Sequence, residues 1–282
     1  METLGIVGGG NVGRALARLL EPRFEVVIAS RSRAREAAEF AGGRARAVSL
    51  KSLAEASDCI LVAVPDRAVR AVAAQLAAHR PGVVLHTCGS QGPSGLAPLP
   101  DQGSSCAMFH PLQTVPDPDS GVAALPGSCF GLCGAGAAAT WCGRLAALLD
   151  GTVVEVAEAR LPLYHAAAVM ASNCAVGLLH AASELMHRAG LERTAASHAL
   201  RPLVEATLAN ALTMGQAQAL TGPVMRGDAI TVRHHLEAMR GLPAGLTEFY
   251  RECGLYLLSL AMRSGLPERE AREVQAVLRG SG

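Results

Sequence analysis

Short apolar runs alternate with longer amphipathic runs through the first half of the chain, and then the short runs stop. The apolar runs are LGIVG (4–8), EVVIAS (25–30), CILVAV (59–64), GVVLHT (82–87), CFGLCG (129–134) and TVVEV (152–156). Continuous apolar strands separated by Ala-rich helical runs predict a mostly parallel sheet covered by helices on both faces. After about Glu158 only helical patterning remains. Helices are expected at roughly 158–189, 193–214, 228–240, 244–264 and 267–279, punctuated by Gly190, Gly222-Pro223, Gly241 with Pro243, and Gly265 with Pro267. The fold class is therefore α/β: a doubly wound sheet domain over residues 1–156, then an all-α domain over 157–282 for substrate binding and dimerisation. No internal repeat or low-complexity tail interrupts this division.

One stretch could suggest a different architecture. From Leu161 to Ser183 no residue carries a formal charge, long enough for a bilayer. It contains Pro162, His165, Ser172, Asn173 and His180, which favours a helix buried in a soluble protein. The uncharged stretch Ser120–Gly143 is broken by Pro126 and several glycines and reads as loop, strand and helix start.

Composition narrows the function classes. At 282 residues the chain suits two domains, half of it is apolar, and only 3% is aromatic, so the core is mostly Ala, Leu and Val. The net charge of +1, with both signs interspersed, gives no basic block for nucleic acid or a membrane surface. The eight cysteines lie scattered in apolar contexts, without a CxxC or a second pair to complete the Cys129/Cys133 spacing. Reduced, buried thiols and a strand pattern that begins at once predict a cytoplasmic protein without a secretory leader.

The chemistry starts at Gly8-x-Gly10-x-x-Gly13, which follows the first predicted strand directly and opens a helix, with Asn11 and Val12 between the glycines. In that context the pattern is the dinucleotide-binding fingerprint of a Rossmann-type fold. Gly8 permits the tight turn, Gly10 lets the backbone approach a pyrophosphate, and Gly13 lets helix and strand pack closely. The helix N-terminus offers free N–H groups and a partial positive charge. The next strand ends in IASRSRAR, with Ser30 where an NAD site usually has a carboxylate, then Arg31 and Arg33. Serine and arginine accept a 2′-phosphate that a carboxylate would repel, so the expected cofactor is NADP(H). Ligands of such sheets bind outside the carboxyl ends of the strands. Val64 and Pro65 mark one such end and Ser90 the next. His110, in MFHPLQT, is a candidate acid or substrate contact, with a packed loop histidine as the other reading.

GIVGGGNVG, VAVPD, HTCGS, FHPLQT, YHAAAVMASN and ALTGPVMRGD together resemble a family of two-domain proteins. Its members join a Rossmann-like half to a helical domain long labelled as of unknown function. The family is placed in the 6-phosphogluconate dehydrogenase-like superfamily beside ketopantoate reductases, pyrroline-5-carboxylate reductases and hydroxyisobutyrate dehydrogenases. Some members are an alternative type of ketopantoate reductase. The resemblance spans nearly the whole chain. It implies a reductase with its active site between the two halves and a homodimer formed through the helical half.

One departure concerns the proton donor. Many cousins place a lysine on the first long helix of the second domain, whereas Lys51 is the single lysine of this chain. That helix carries Tyr164, His165, Ser172 and Asn173 instead. At ~100° per residue, His165 and Ser172 fall within about 20° of each other and Asn173 about 80° away. His165 is the expected general acid, with Asn173 orienting a carbonyl or the nicotinamide carboxamide and His110 the alternate acid. Polar residues satisfied inside a bundle are the other reading. Thr221 and Arg226, on a break between helices, are candidate substrate contacts, Arg226 for a carboxylate; an ordinary helix connection fits equally. His234 and His235 are adjacent and lack carboxylates at ligand spacing, so no metal site is expected. The expectation is an NADPH-dependent reductase of a small carbonyl compound, with a 2-oxo acid such as ketopantoate as a candidate substrate. The alternatives are an imine reductase resembling pyrroline-5-carboxylate reductase and a non-catalytic NADP-binding sensor or interaction protein.

Overall fold

The computed structural model describes residues 1–280 and divides into two compact units, Met1–Ala175 and Val176–Gly282. The first unit holds one eight-stranded sheet: β1 (Thr3–Val7), β2 (Glu25–Ala29), β3 (Arg46–Ala47), β4 (Cys59–Val62), β5 (Val83–His86), β6 (Ser105–Pro111), β7 (Cys129–Gly134) and β8 (Thr152–Glu155). The spatial order is β3-β2-β1-β4-β5-β6-β7-β8. Its helices are α1 (Asn11–Leu20), α2 (Ala34–Ala41), α3 (Leu50–Ala56), α4 (Asp66–Ala77), α5 (Pro118–Ala124), α6 (Gly136–Leu148) and α7 (Leu161–Val169).

Side-chain alternation explains why the strands look apolar throughout. Leu4, Ile6, Cys59 and Leu61 point into one buried cluster with α1, α2 and α6, whereas Val7, Ile60 and Val62 point into another under α3 and α4. A strand buried on both faces has no polar side to show. Two strands escaped the sequence reading. β3 has two exposed residues, too few for a pattern. β6 contains MFHP, whose proline and histidine read as a connecting segment, yet Cys106 to Phe109 are buried in an interior strand of the sheet.

β6 and β7 pair antiparallel, with Met108 opposite Cys133 and His110 opposite Gly131, and β8 runs parallel to β7. This reversal positions the site. β8 runs back toward the edge where β1 to β6 begin. The chain can then climb the face of β6 and β7 as α7, with Leu161 packed on Met108 and Cys133, beside Val156 and Tyr164. The next helical turn reaches the carboxyl end of β6. The change of texture at 156/157 therefore precedes the end of the first compact unit, because α7 packs on the sheet.

Beyond α7 a π-helical turn, Met170–Cys174, leads into α8 (Ala175–Arg188). The second unit continues with α9 (Arg193–Thr213), α10 (Gln216–Ala219), α11 (Ala229–Ala238), α12 (Ala244–Arg263) and α13 (Glu268–Arg279). Val232, Leu236, Leu258, Val274 and Leu278 form its core, joining α11, α12 and α13. The expectation of a buried central helix is corrected here. The continuous helix Glu158–Arg188 is long and apolar enough by length and composition to cross a membrane, but none of its most apolar stretch is buried in the chain. Val176, Leu178 and Leu179 stand in the open. The thiols need a smaller correction: all eight are free, but Cys174 is exposed and Cys129 and Cys253 are half-buried.

Candidate active site

The glycine turn sits at the carboxyl end of β1. Gly8 has φ +132°, and a Cβ there would run into the Ala63 carbonyl after β4; a Cβ on Gly13 would run into the carbonyl of Gly8. By contrast, Gly10 faces open space and precedes α1 with no side chain capping the helix. The first-turn N–H groups are thus available to an anion. A cavity of about 520 Å³ opens at this point, lined by Gly8 and Gly10, by Ser30, Arg31 and Arg33 after β2, and by Val64 and Pro65 after β4. Among the described residues no acidic side chain lines it, whereas Ser49 and Leu50, at the start of α3, do. The lining suits a dinucleotide phosphorylated at the 2′-position.

A second group of polar residues gathers at the carboxyl end of β6, three strands from β1 or ~14 Å across the sheet at ~4.8 Å per strand. His110 Nδ1 lies 2.8 Å from the Tyr164 hydroxyl. The His165 ring stands edge-on to His110 with centroids 6.1 Å apart. His165 Nδ1 is buried and has no hydrogen-bond partner among the described residues. Two glycines make the room. A Cβ on Gly89 would lie 2.7 Å from the His110 ring, and one on Gly131 would collide with the Tyr164 hydroxyl. Burial lowers the His110 pKa from its ordinary 6.5 to about 4, with His165 adding to the effect. Burial likewise raises Tyr164 to about 12. At neutral pH the pair is a neutral imidazole and an intact phenol, joined by one shareable proton. The loop after β5 frames this corner. Buried His86 accepts from the Cys88 N–H at Nδ1 (3.2 Å) and reaches the Gly92 carbonyl from Nε2 (3.0 Å), which assigns the proton to Nε2. Burial lowers its pKa.

Residues 3–88 match the family model described as NADP oxidoreductase, coenzyme F420-dependent. They form an NADP oxidoreductase domain. Residues 128–257 match a domain of unknown function, DUF2520. No curated protein sequence matches the chain. Among solved structures, protein TM1727 from Thermotoga maritima is 26% identical, with a TM-score of 0.71 over 92% of this chain and 98% of that one. The pyrroline carboxylate reductase of Plasmodium falciparum, solved with NADP bound, is 13% identical with a TM-score of 0.62 over 98% of each chain. A reductive aminase from Aspergillus terreus, in complex with NADPH4, cyclohexanone and allyl amine, is 19% identical with a TM-score of 0.62 over 99% of each. The last two show the shared fold.

Within the oxidoreductase domain, the predicted residues Gly8, Gly10, Ser30, Arg31, Arg33, Val64 and Pro65 come together in one cavity. Others have different surroundings. Asn11 donates its amide to the Val115 and Pro116 carbonyls, at 3.2 and 2.7 Å, bracing the loop after β6. Val12 packs against the core. Ser90 donates to the Asp66 carboxylate at 3.1 Å and lies 3.2 Å from the Cys88 sulfur. His110 and His165 do meet, but the hydrogen-bonded partner of His110 is Tyr164, for which no role was expected. Asn173 lies beyond, exposed in the π turn, where its Oδ1 accepts from Ser172 at 2.9 Å. That turn also corrects the face-sharing of His165 with Ser172: a π turn holds more than 3.6 residues, so 100° per residue does not carry across it. Thr221 and Arg226 are exposed in the second unit, on the segment that Asp228 ends by capping α11.

Proposed function

We propose that this protein is an NADPH-dependent reductase of a small carbonyl compound, with Tyr164 as proton donor, His110 behind it, and His165 Nδ1 free to contact the substrate. The observation that carries this reading is the Tyr164–His110 pair beside an unpartnered imidazole nitrogen, at the sheet edge that also bears the nucleotide cavity. When bound, NADPH supplies the hydride. A C–H bond forms as the carbonyl π bond breaks, and the oxygen needs a proton. In the tautomer with Nδ1 protonated, His110 donates to the Tyr164 oxygen, leaving the phenolic O–H for the substrate. The alkoxide takes that proton, Tyr164 takes one from His110 Nδ1, and another enters at Nε2 from solvent. The ring stays neutral throughout, as its lowered pKa requires. A 2-oxo acid such as ketopantoate is the first substrate to try. The acid role expected of His165 thus passes to Tyr164.

A second reading, reduction of a C=N bond, is favoured by the fold shared with pyrroline carboxylate reductase and a reductive aminase. The two readings separate in one assay, because a protonated iminium accepts hydride without a further proton. Tyr164→Phe and His110→Gln should each lower turnover of a 2-oxo acid by ~10²–10⁴-fold, the usual contribution of a positioned acid. NADPH affinity should stay within about twofold, placing the loss in the chemical step. Near-normal turnover in both variants would remove the proton relay. Losses with 2-oxo acids but not cyclic imines would show that the acid matters only for oxygen. Tight NADPH binding with no turnover of either class would favour the sensor reading. Finally, the exposed apolar helices are proposed to pair with those of a second copy, making the working protein a cytoplasmic homodimer.

A further inference from the structure

Arg14 follows the last glycine of the fingerprint and is the one buried arginine, lysine or carboxylate among the described residues. Its Nε donates to the Gly9 carbonyl at 2.9 Å, and its Nη1 pairs with Glu36 Oε1 at 2.7 Å. Gly9 belongs to the phosphate turn, whereas Glu36 lies in the first turn of α2, three residues after Arg33. The Ala37 N–H donates to the Arg33 carbonyl at 2.9 Å, so Arg33 and the start of α2 move together. A direct contact reinforces the link: a Cβ on Gly9 would lie 2.8 Å from Arg33 Cβ and 3.0 Å from its carbonyl oxygen. Gly9 is not one of the three fingerprint glycines, and this contact explains why it too lacks a side chain. Arg31 and Arg33 form no ion pair among the described residues, and both line the nucleotide cavity.

We infer that Arg14 and Glu36 are positioning residues for cofactor selectivity: they brace the Ser30–Arg33 segment against the phosphate turn so that it meets the 2′-phosphate of NADPH preorganised. Arg14 does not line the cavity, and its charge is engaged by Glu36. The brace therefore acts through Arg33 and its neighbours rather than on the cofactor. NADH has no 2′-phosphate and gains nothing from the segment being held. Fixing a flexible arginine-bearing loop in its bound geometry improves affinity by removing an ordering cost.

Coulomb's law alone predicts the opposite sign for the deciding variant. Glu36 is a negative charge near a phosphate site, and removing it should strengthen anion binding if charge were all that mattered. The Glu36 side chain is 58% exposed, so Glu36→Gln should fold normally. Dissociation constants for NADPH and NADH would be read from nicotinamide fluorescence without substrate, so the result is independent of which bond the enzyme reduces. With Glu36→Gln the NADPH constant should rise about tenfold, or about 1.4 kcal/mol, while the NADH constant stays within about twofold. Glu36→Asp should recover part of the loss. NADPH binding that tightens or stays unchanged, or an equal loss for both cofactors, would overturn the inference.

Discussion

Tyr164 owes its position to a missing side chain across the sheet. It lies over Gly131 of β7, where any Cβ would occupy the space of its hydroxyl. Gly131→Ala should therefore displace the phenol from His110 and lower turnover at least tenfold, while NADPH titrations remain unchanged; unaltered turnover would mean that the pair tolerates misplacement. The buried histidines make a second prediction. The unfolded chain takes up a proton at each histidine near pH 6.5, whereas native His110 does so only near 4. Between those values the unfolded state holds more protons, so stability falls as pH falls, by up to about 1.4 kcal/mol per pH unit for one group. His86 is shifted in the same direction. Urea midpoints taken from about pH 7 down to about 4.5 should drop, and His110→Gln should reduce the slope; the same slope in the variant would count against a buried neutral imidazole. At this scale the sequence was legible where the backbone does the work, as at Gly8 and Gly10. It was illegible where function needs two distant side chains to meet. Nothing local to Tyr164 says that residue 110, 54 positions earlier, will hydrogen-bond to it.

Among the elements, those with periodic apolar faces were read closely. The predicted 193–214 and 244–264 correspond to Arg193–Thr213 and Ala244–Arg263, because Gly190 and Gly215 flank the first and Pro243 and Gly265 flank the second, although Pro202 lies inside the first. β6 was hidden because it ends in His110-Pro111, a pair that reads as a connection rather than as strand. The β6–β7 reversal was equally invisible, since apolar runs have the same composition in either direction. The π turn at Met170–Cys174 could not be read from pattern either, yet it decides which side chains share a face after His165.

For the whole molecule, the apolar balance of the second half is the informative quantity. α8 buries no residue in its own chain and α9 buries only Ala196, while Leu212 is 83% and Val176 68% exposed. The proposed pairing with a second copy would cover this apolar surface. Light scattering at micromolar concentration should give twice the 29.0 kDa chain mass, and Val176→Glu with Leu212→Glu should return it to the monomer value. A monomer mass for the unmodified protein would refute the pairing. The sequence signalled this surface through the uncharged run 161–183, but a run of apolar residues reads the same whether its own chain or another covers it.

Lys51 gives the molecule a chemical handle. It is the single lysine, it sits on α3 with its side chain 70% exposed, and it follows Leu50 in the wall of the nucleotide cavity. Every other basic side chain apart from histidine is an arginine, inert to acylating reagents because its guanidinium stays protonated. An amine-directed dye or isotope tag thus has two addresses on the chain, the α-amino group and Lys51. The second is a built-in reporter beside the wall that a nucleotide would touch.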